Sequence, residues 1–198
     1  MIQFRDREIA NEQLVLDSRT ELHYLGPTLT LRNCTLIVKV PAKALVVSRT
    51  RLIDCSIEVA RVLKNFSWDR AHFSGCRFKG RYLGNGFGNL EGTAEGSIVD
   101  CDFTDALLDE TRFLNCDART MSFPPWPGLT ILDPVGRAAE LVALPWPGEL
   151  RDFFQWYGEE RPASTAAVTY FVPDLAKRNG TTPEAIKAVL EQLDGVYY

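Results

Sequence analysis

The sequence is poor in the residues that most chemistry needs. In 198 residues there are two histidines, His23 and His72, and they lie far apart. They do not suggest a metal or catalytic centre, and each reads as a surface or partly buried side chain. Cysteine occurs five times, an odd count with no closely spaced pair. That fits neither a secreted disulfide framework nor a zinc site. No apolar run approaches the roughly 20 residues of a membrane span. The opening Met1-Ile2-Gln3-Phe4-Arg5-Asp6-Arg7-Glu8 has no apolar signal core, so a cytoplasmic location is expected. Basic residues are not in excess: 22 Lys and Arg face 26 Asp and Glu, a net charge of −4. This gives no electrostatic reason to expect nucleic acid as the main partner. Nucleophile elbows, phosphate loops and paired-carboxylate signatures are missing too. Gly84-Asn85-Gly86-Phe87-Gly88 lacks the Lys-Ser/Thr and the following helix of a phosphate loop. No enzyme, cofactor or metal is expected.

What the chain does have is 45% hydrophobic residues, enough for one sizeable core, and a repeat. The cysteines stand at 34, 55, 76, 101 and 116, spaced by 21, 21, 25 and 15. Each follows Asn, Asp or Gly, and each has a large apolar residue three positions before it: Leu31, Leu52, Phe73, Ile98 and Phe113. A fixed period of this size is the signature of stacked repeats.

A shorter period lies beneath it. From Phe66 the chain divides into fives, including Ala71-His-Phe-Ser-Gly75, Cys76-Arg-Phe-Lys-Gly80 and Arg81-Tyr-Leu-Gly-Asn85. The frame resumes with Gly96-Ser-Ile-Val-Asp100, Cys101-Asp-Phe-Thr-Asp105, Ala106-Leu-Leu-Asp-Glu110 and Thr111-Arg-Phe-Leu-Asn115. The third position is large and apolar, the first is small, and the fifth is often Gly, Asn or Asp. Neither a helix nor an extended strand has a period of five. A chain that turns every fifth residue does, with turn formers at the corners. Four sides make a coil of about 20 residues, and coils stack ~4.8 Å apart. The expected interior ladder is Cys34, Cys55, Cys76, Cys101 and Cys116 with Phe73, Phe78, Phe103, Leu108 and Phe113.

These fives resemble the pentapeptide-repeat family, clearly over 66–123 outside an interruption and more loosely over 29–59. The resemblance implies a mainly β fold, a right-handed quadrilateral β-helix. Residues 39–49 and 60–65 depart from the pattern and read as ordinary coils or extra residues. Residues 86–95 put Gly88 and Thr93 at the large position and read as a protruding loop. Leu14-Val15-Leu16 and Leu22-His23-Tyr24-Leu25 read as strands of an N-terminal coil or cap.

The repeat stops at Pro124-Pro125-Trp126-Pro127-Gly128, and a helical period follows. Helices are expected over 147–157, 164–178 (broken at Pro173) and 183–194. The division is therefore a solenoid with its cap at 1–123 and a C-terminal α-helical appendage at 124–198, serving as cap or interaction region.

Residues 61–81 carry a net charge of +5 and residues 91–117 a net charge of −7. This reads as solvated faces that balance across adjacent coils or as a bipolar surface for a protein partner. The candidate binding residues are Arg77, Lys79, Arg81, Asp102, Asp105 and Asp109, with Trp126, Trp146 and Trp156 as possible aromatic anchors. Members of the resembled family are generally binding scaffolds. The leading expectation is an immunity- or antitoxin-like protein that neutralises a bacterial toxin or enzyme by direct binding. A DNA-mimicking protector of topoisomerase is the alternative. The family's C-terminally joined homodimers make dimerisation through 124–198 a further expectation. The helix–turn–helix spacing around Asn179-Gly180-Thr181-Thr182 leaves a regulator as a third reading, against the acidic balance of its second helix.

Overall fold

The computed structural model describes residues 1–68, 70–89 and 96–198. Asp69, Glu91 and Glu95 of the charge stripes, and the 90–95 part of the expected loop, lie outside the described residues.

The chain winds as a β-solenoid. The first coil holds β1 (Ile2–Phe4), β2 (Glu8–Ala10) and β3 (Gln13–Leu16). The second holds β4 (His23–Leu25), β5 (Thr30–Arg32) and β6 (Thr35–Val38). The third holds β7 (Leu45–Val47), β8 (Thr50–Ile53) and the first half of β9 (Ser56–Lys64). Then come β10 (Ala71–Ser74) and β11 (Arg77–Leu83), followed by β12 (Gly86–Gly88), β13 (Ser97–Val99), β14 (Ala106–Asp109) and β15 (Thr111–Leu114). Equivalent strands pair in parallel, giving the sheets β1-β4-β7, β2-β5-β8-β10-β13 and β3-β6-β9-β11-β14.

The corners explain the cysteines. Asn11, Asn33, Asp54, Gly75 and Asp100 all have φ between 48° and 63°. Asn and Asp tolerate this left-handed conformation better than other side chains, and Gly has no penalty there. Each of the first four sends its N–H forward to the next coil, as Asp54 does to the Ser74 carbonyl at 2.9 Å. After each of the last four corners the next residue points inward and meets a carbonyl two residues back. Cys34, Cys55, Cys76 and Cys101 fill that place, with Sγ 3.2 to 3.5 Å from the carbonyls of Arg32, Ile53, Ser74 and Val99. Cys34, Cys55 and Cys76 also reach the carbonyls of Ile9, Leu31 and Leu52, one coil earlier. A small, apolar side chain with a weak S–H donor suits a buried site of this kind. Asn85 and Thr111, after the left-handed Gly84 and Glu110, play the same part at a second corner. Cys116, after Asn115, is only partly buried.

Aromatic rings fill the interior. Phe78 stacks on Phe103 at 4.3 Å and Phe87 on Phe113 at 5.5 Å, while Trp68 lies parallel to Phe87 at 5.9 Å. Phe73, Phe78, Phe103, Leu108 and Phe113 are all buried, as the five-residue frame requires.

The frame slips twice. The pairing of β9 and β11 shifts register between Gly80 and Tyr82, so Tyr82 points inward where Leu83 is expected. Its Oη donates to the Ile57 carbonyl at 3.2 Å. Second, residues 86–88 are not loop but strand. Phe87, one place before the expected position, is fully buried, and β12 pairs with β15. Gly88 (φ 94°) permits this, because a Cβ there would stand 2.1 Å from the Leu114 carbonyl oxygen.

The C-terminal region is more than helices. It contains β16 (Gly128–Leu132), α1 (Ala138–Ala143), α2 (Leu150–Glu160), β17 (Thr165–Phe171), α3 (Val172–Arg178), α4 (Pro183–Leu190) and β18 (Val196–Tyr197). The expectation of helix over 164–178 is corrected: residues 165–171 form a strand, and Pro173 begins α3 instead of breaking a helix. Thr165-Ala-Ala-Val-Thr-Tyr-Phe171 is rich in β-branched and aromatic residues and is covered on both faces, which removes the two-residue alternation. The last coil would otherwise end in an open strand edge. Strand β17 lies antiparallel on β15 and β16 on β17, so one sheet runs β12-β15-β17-β16-β18. Helices α1 to α4 pack on a second core containing Leu129, Leu141, Phe154, Tyr170 and Leu190. Among the described residues no helix is long and apolar enough to cross a membrane.

Candidate interaction surfaces

Stacking puts the two charge stripes side by side. Arg77 Nε lies 4.0 Å from Asp102, and Lys79 Nζ lies 3.7 Å from Glu58 of the preceding coil. Burial pushes the Asp102 carboxyl up, but the amide and hydroxyl of Thr104, with Arg77 opposite, hold it below the usual carboxylate range. These side chains are exposed and neutralise each other across coils.

Two other candidates are turned inward to the C-terminal region. Arg81 Nη2 is 2.7 Å from Asp174 of α3. Asp109 is only 1% exposed; it accepts from Arg178 Nη1 at 2.8 Å, Nη2 at 3.1 Å and the Phe171 amide at 3.1 Å. It fastens α3 and is no part of an open surface.

The tryptophans separate likewise. Trp146 is buried, its Nε1 donating to the Leu141 carbonyl at 2.6 Å. Trp126 is half-buried, with Lys187 Nζ 5.3 Å over its ring. Trp156 is 47% exposed and carries the Arg161 guanidinium 4.9 Å above its ring. Of the acidic candidates, Asp105 remains exposed, with no bonded partner among the described residues.

A different surface emerges on the opposite stretch of the solenoid. The connections β3–β4 and β6–β7 and Arg61 in the middle of β9 line a cleft of about 670 Å³. Its lining includes Arg19, Lys39, Lys43 and Arg61, with Asp17 as the only carboxylate. All four cations are exposed, and none has an acidic partner within 4.0 Å among the described residues. Arg19, Lys39 and Arg61 recur near the coil period, and that recurrence is the signal by which the sequence could have revealed them. A cationic cleft on a rigid wall favours an acidic surface and speeds its encounter.

Among the described residues no three His, Cys, Asp or Glu side chains converge as a metal site would require. The described fold and surfaces are those of a β-solenoid repeat protein closed at its C-terminal end by a mixed α/β cap. Comparison of the chain with family models, curated proteins and solved structures returned no match in any of the three.

Proposed function

We propose that this chain is a non-enzymatic, pentapeptide-repeat-like scaffold that works in the cytoplasm of a bacterium by binding one acidic protein partner. The partner class is a toxin or enzyme that the chain neutralises, as an immunity protein or antitoxin does. The observation that carries the reading is the corner cleft, where Arg19, Lys39, Lys43 and Arg61 stand unpaired on a preformed wall. The rigid solenoid backbone pre-organises the cleft, so the ordering cost of docking falls on the side chains alone, which supports specific binding. The stripe of Arg77, Lys79 and Asp102 supports the same reading indirectly. A duplex mimic needs acidic side chains free along the solenoid, and Asp102 faces Arg77 instead.

Co-expression with the polypeptide encoded beside this chain tests the proposal. Growth rescue by the wild-type chain, lost on charge reversal at Arg19 and Arg61, is the expected result. Equal rescue by the reversed variant removes the cleft from the mechanism.

A further inference from the structure

A second cavity, of about 280 Å³, opens where α2 faces the solenoid. The solenoid contributes Asn65, Glu110 and Arg112 to it; the cap contributes Trp156, Tyr157 and Arg161. None of these belongs to the corner cleft.

The guanidiniums of this cavity are not charge-matched among the described residues. Neither Arg112 nor Arg161 has a carboxylate within 4.0 Å among the described residues, and the Arg161 guanidinium spans the rings of Trp156 at 4.9 Å and Tyr157 at 5.1 Å. Tyr157 is only 2% exposed and sets its phenol beside the buried phenol of Tyr170; its Oη makes no hydrogen bond of good geometry among the described residues. Arg161 Nε is equally buried and unpartnered. Buried donors left in this state are uncommon in folded proteins and point to an absent acceptor. Burial lifts the Tyr157 phenol to about 12, against the pull of Arg161 and Arg112, so it stays a neutral donor. The Glu110 carboxylate on the rim already lies 3.7 Å from Arg178. A negatively charged acceptor would match both guanidiniums and the phenol at once. The cleft of about 280 Å³ has room for a body larger than a bare ion. A planar body suits the exposed Trp156 ring and its stacked guanidinium.

We propose that this cavity binds a small aromatic oxyanion, a carboxylate or phosphate on a single ring. Arg112 and Arg161 take the charged oxygens, Tyr157 Oη donates a further hydrogen bond, and the ring lies against Trp156.

Calorimetric titration of the full-length chain with benzoate and phenyl phosphate, with inorganic phosphate alongside, tests this. One-to-one saturable binding of at least one aromatic anion is expected, with inorganic phosphate weaker. Arg112→Gln and Arg161→Gln each weaken it about tenfold, the loss of one charged hydrogen bond. Arg161→Lys falls between, because charge remains but the planar fork does not. Arg5→Gln, exposed on the first coil and in neither cleft, leaves binding unchanged. If a Gln variant does not fold, the wild-type indole N–H resonance of Trp156, assigned through Trp156→Phe, must still shift with the same saturation curve. No saturable binding of either aromatic anion, binding unaltered in both Gln variants, or an unmoved Trp156 resonance overturns the proposal.

Discussion

Asp109 and Arg178 are 69 residues apart in sequence and joined by two hydrogen bonds, at 2.8 and 3.1 Å. The first ends β14 of the solenoid and the second ends α3 of the cap, so the pair fixes one body to the other. The carboxylate is almost fully buried, whereas the guanidinium remains 38% exposed. Truncation should therefore be asymmetric. Arg178→Ala leaves a buried charge supported only by the Phe171 amide and is expected to cost about 3 kcal/mol. Asp109→Ala leaves a guanidinium that water can reach and one amide without its acceptor, a loss of about 1–2 kcal/mol. Urea unfolding of both variants measures the difference, and the opposite order would contradict this account.

The left-handed corners make a prediction of backbone origin. Asp54 has φ 54°, and alanine there is expected to cost about 1 kcal/mol, because the strain is that of an L residue in this region. Asp54→Gly should be more stable than Asp54→Ala. Gly75, next in the same column, has φ 63°, and an added Cβ would meet Asp54 Oδ1 at 2.4 Å. Gly75→Ala should thus be worse than Asp54→Ala and partly relieved in the Gly75→Ala/Asp54→Gly double variant. Denaturant midpoints of the four proteins form the test.

The stacked thiols should be inert in the folded protein. Cys34, Cys55, Cys76 and Cys101 are at most 2% exposed. The Cys76 thiol is pushed up to about 12 by the adjacent thiol of Cys101 and by burial, and Cys55 is pushed up further by Cys76; the Cys101 thiol is drawn down by its hydrogen bond with Cys76, so its inertness rests on burial alone. Thiol titration with a coloured disulfide reagent at mild alkaline pH is expected to detect Cys116 at most. All five should react in denaturant. Rapid native labelling of the four would contradict the ladder.

His72 should give a small pH dependence of stability. It is in register with Arg51 one coil earlier and bonds Ser97 one coil later, Nδ1 to Oγ at 3.0 Å. Burial, with Arg51 adding to it, holds its pKa below the ordinary imidazole value of about 6.5. Between the folded and unfolded values the unfolded chain binds more protons, so stability falls as pH drops below about 6.5 and levels off under the folded pKa. Unfolding midpoints at mildly acidic and neutral pH should differ less in His72→Gln than in the wild type. An NMR titration of the His72 ring above 6.5 would contradict the sign.

The repeat was legible because it is written in residue types with one physical role each. Asn33, Asp54 and Asp100 mark left-handed corners, the cysteines mark the inward donors after them, and Phe78 and Phe103 mark the filling. Where those roles moved, the pattern misled. At Tyr82 and Phe87 a register slip carried the inward position back by one, and no local feature announces such a slip. Strand β17 was hidden because its alternation vanishes when both faces are covered. The charged surface was the least legible part. Arg81 and Asp109 look alike in sequence to Arg77 and Asp102, and only the docking of α3 turns the first two inward. Arg19, Lys39 and Lys43 lie in connections, and Arg61 in the part of β9 that departs from the five-residue frame, where the period is hardest to see.

The claim at the centre of this account is that the corner cleft is where an acidic partner docks. Its most direct test is calorimetric titration of the purified neighbouring gene product into the wild-type chain and into an Arg19→Glu/Arg61→Glu variant. The account predicts a one-to-one complex that weakens with salt and loses about 30-fold or more in affinity on charge reversal. No complex with that product, or equal affinity for both forms of the chain, would contradict it.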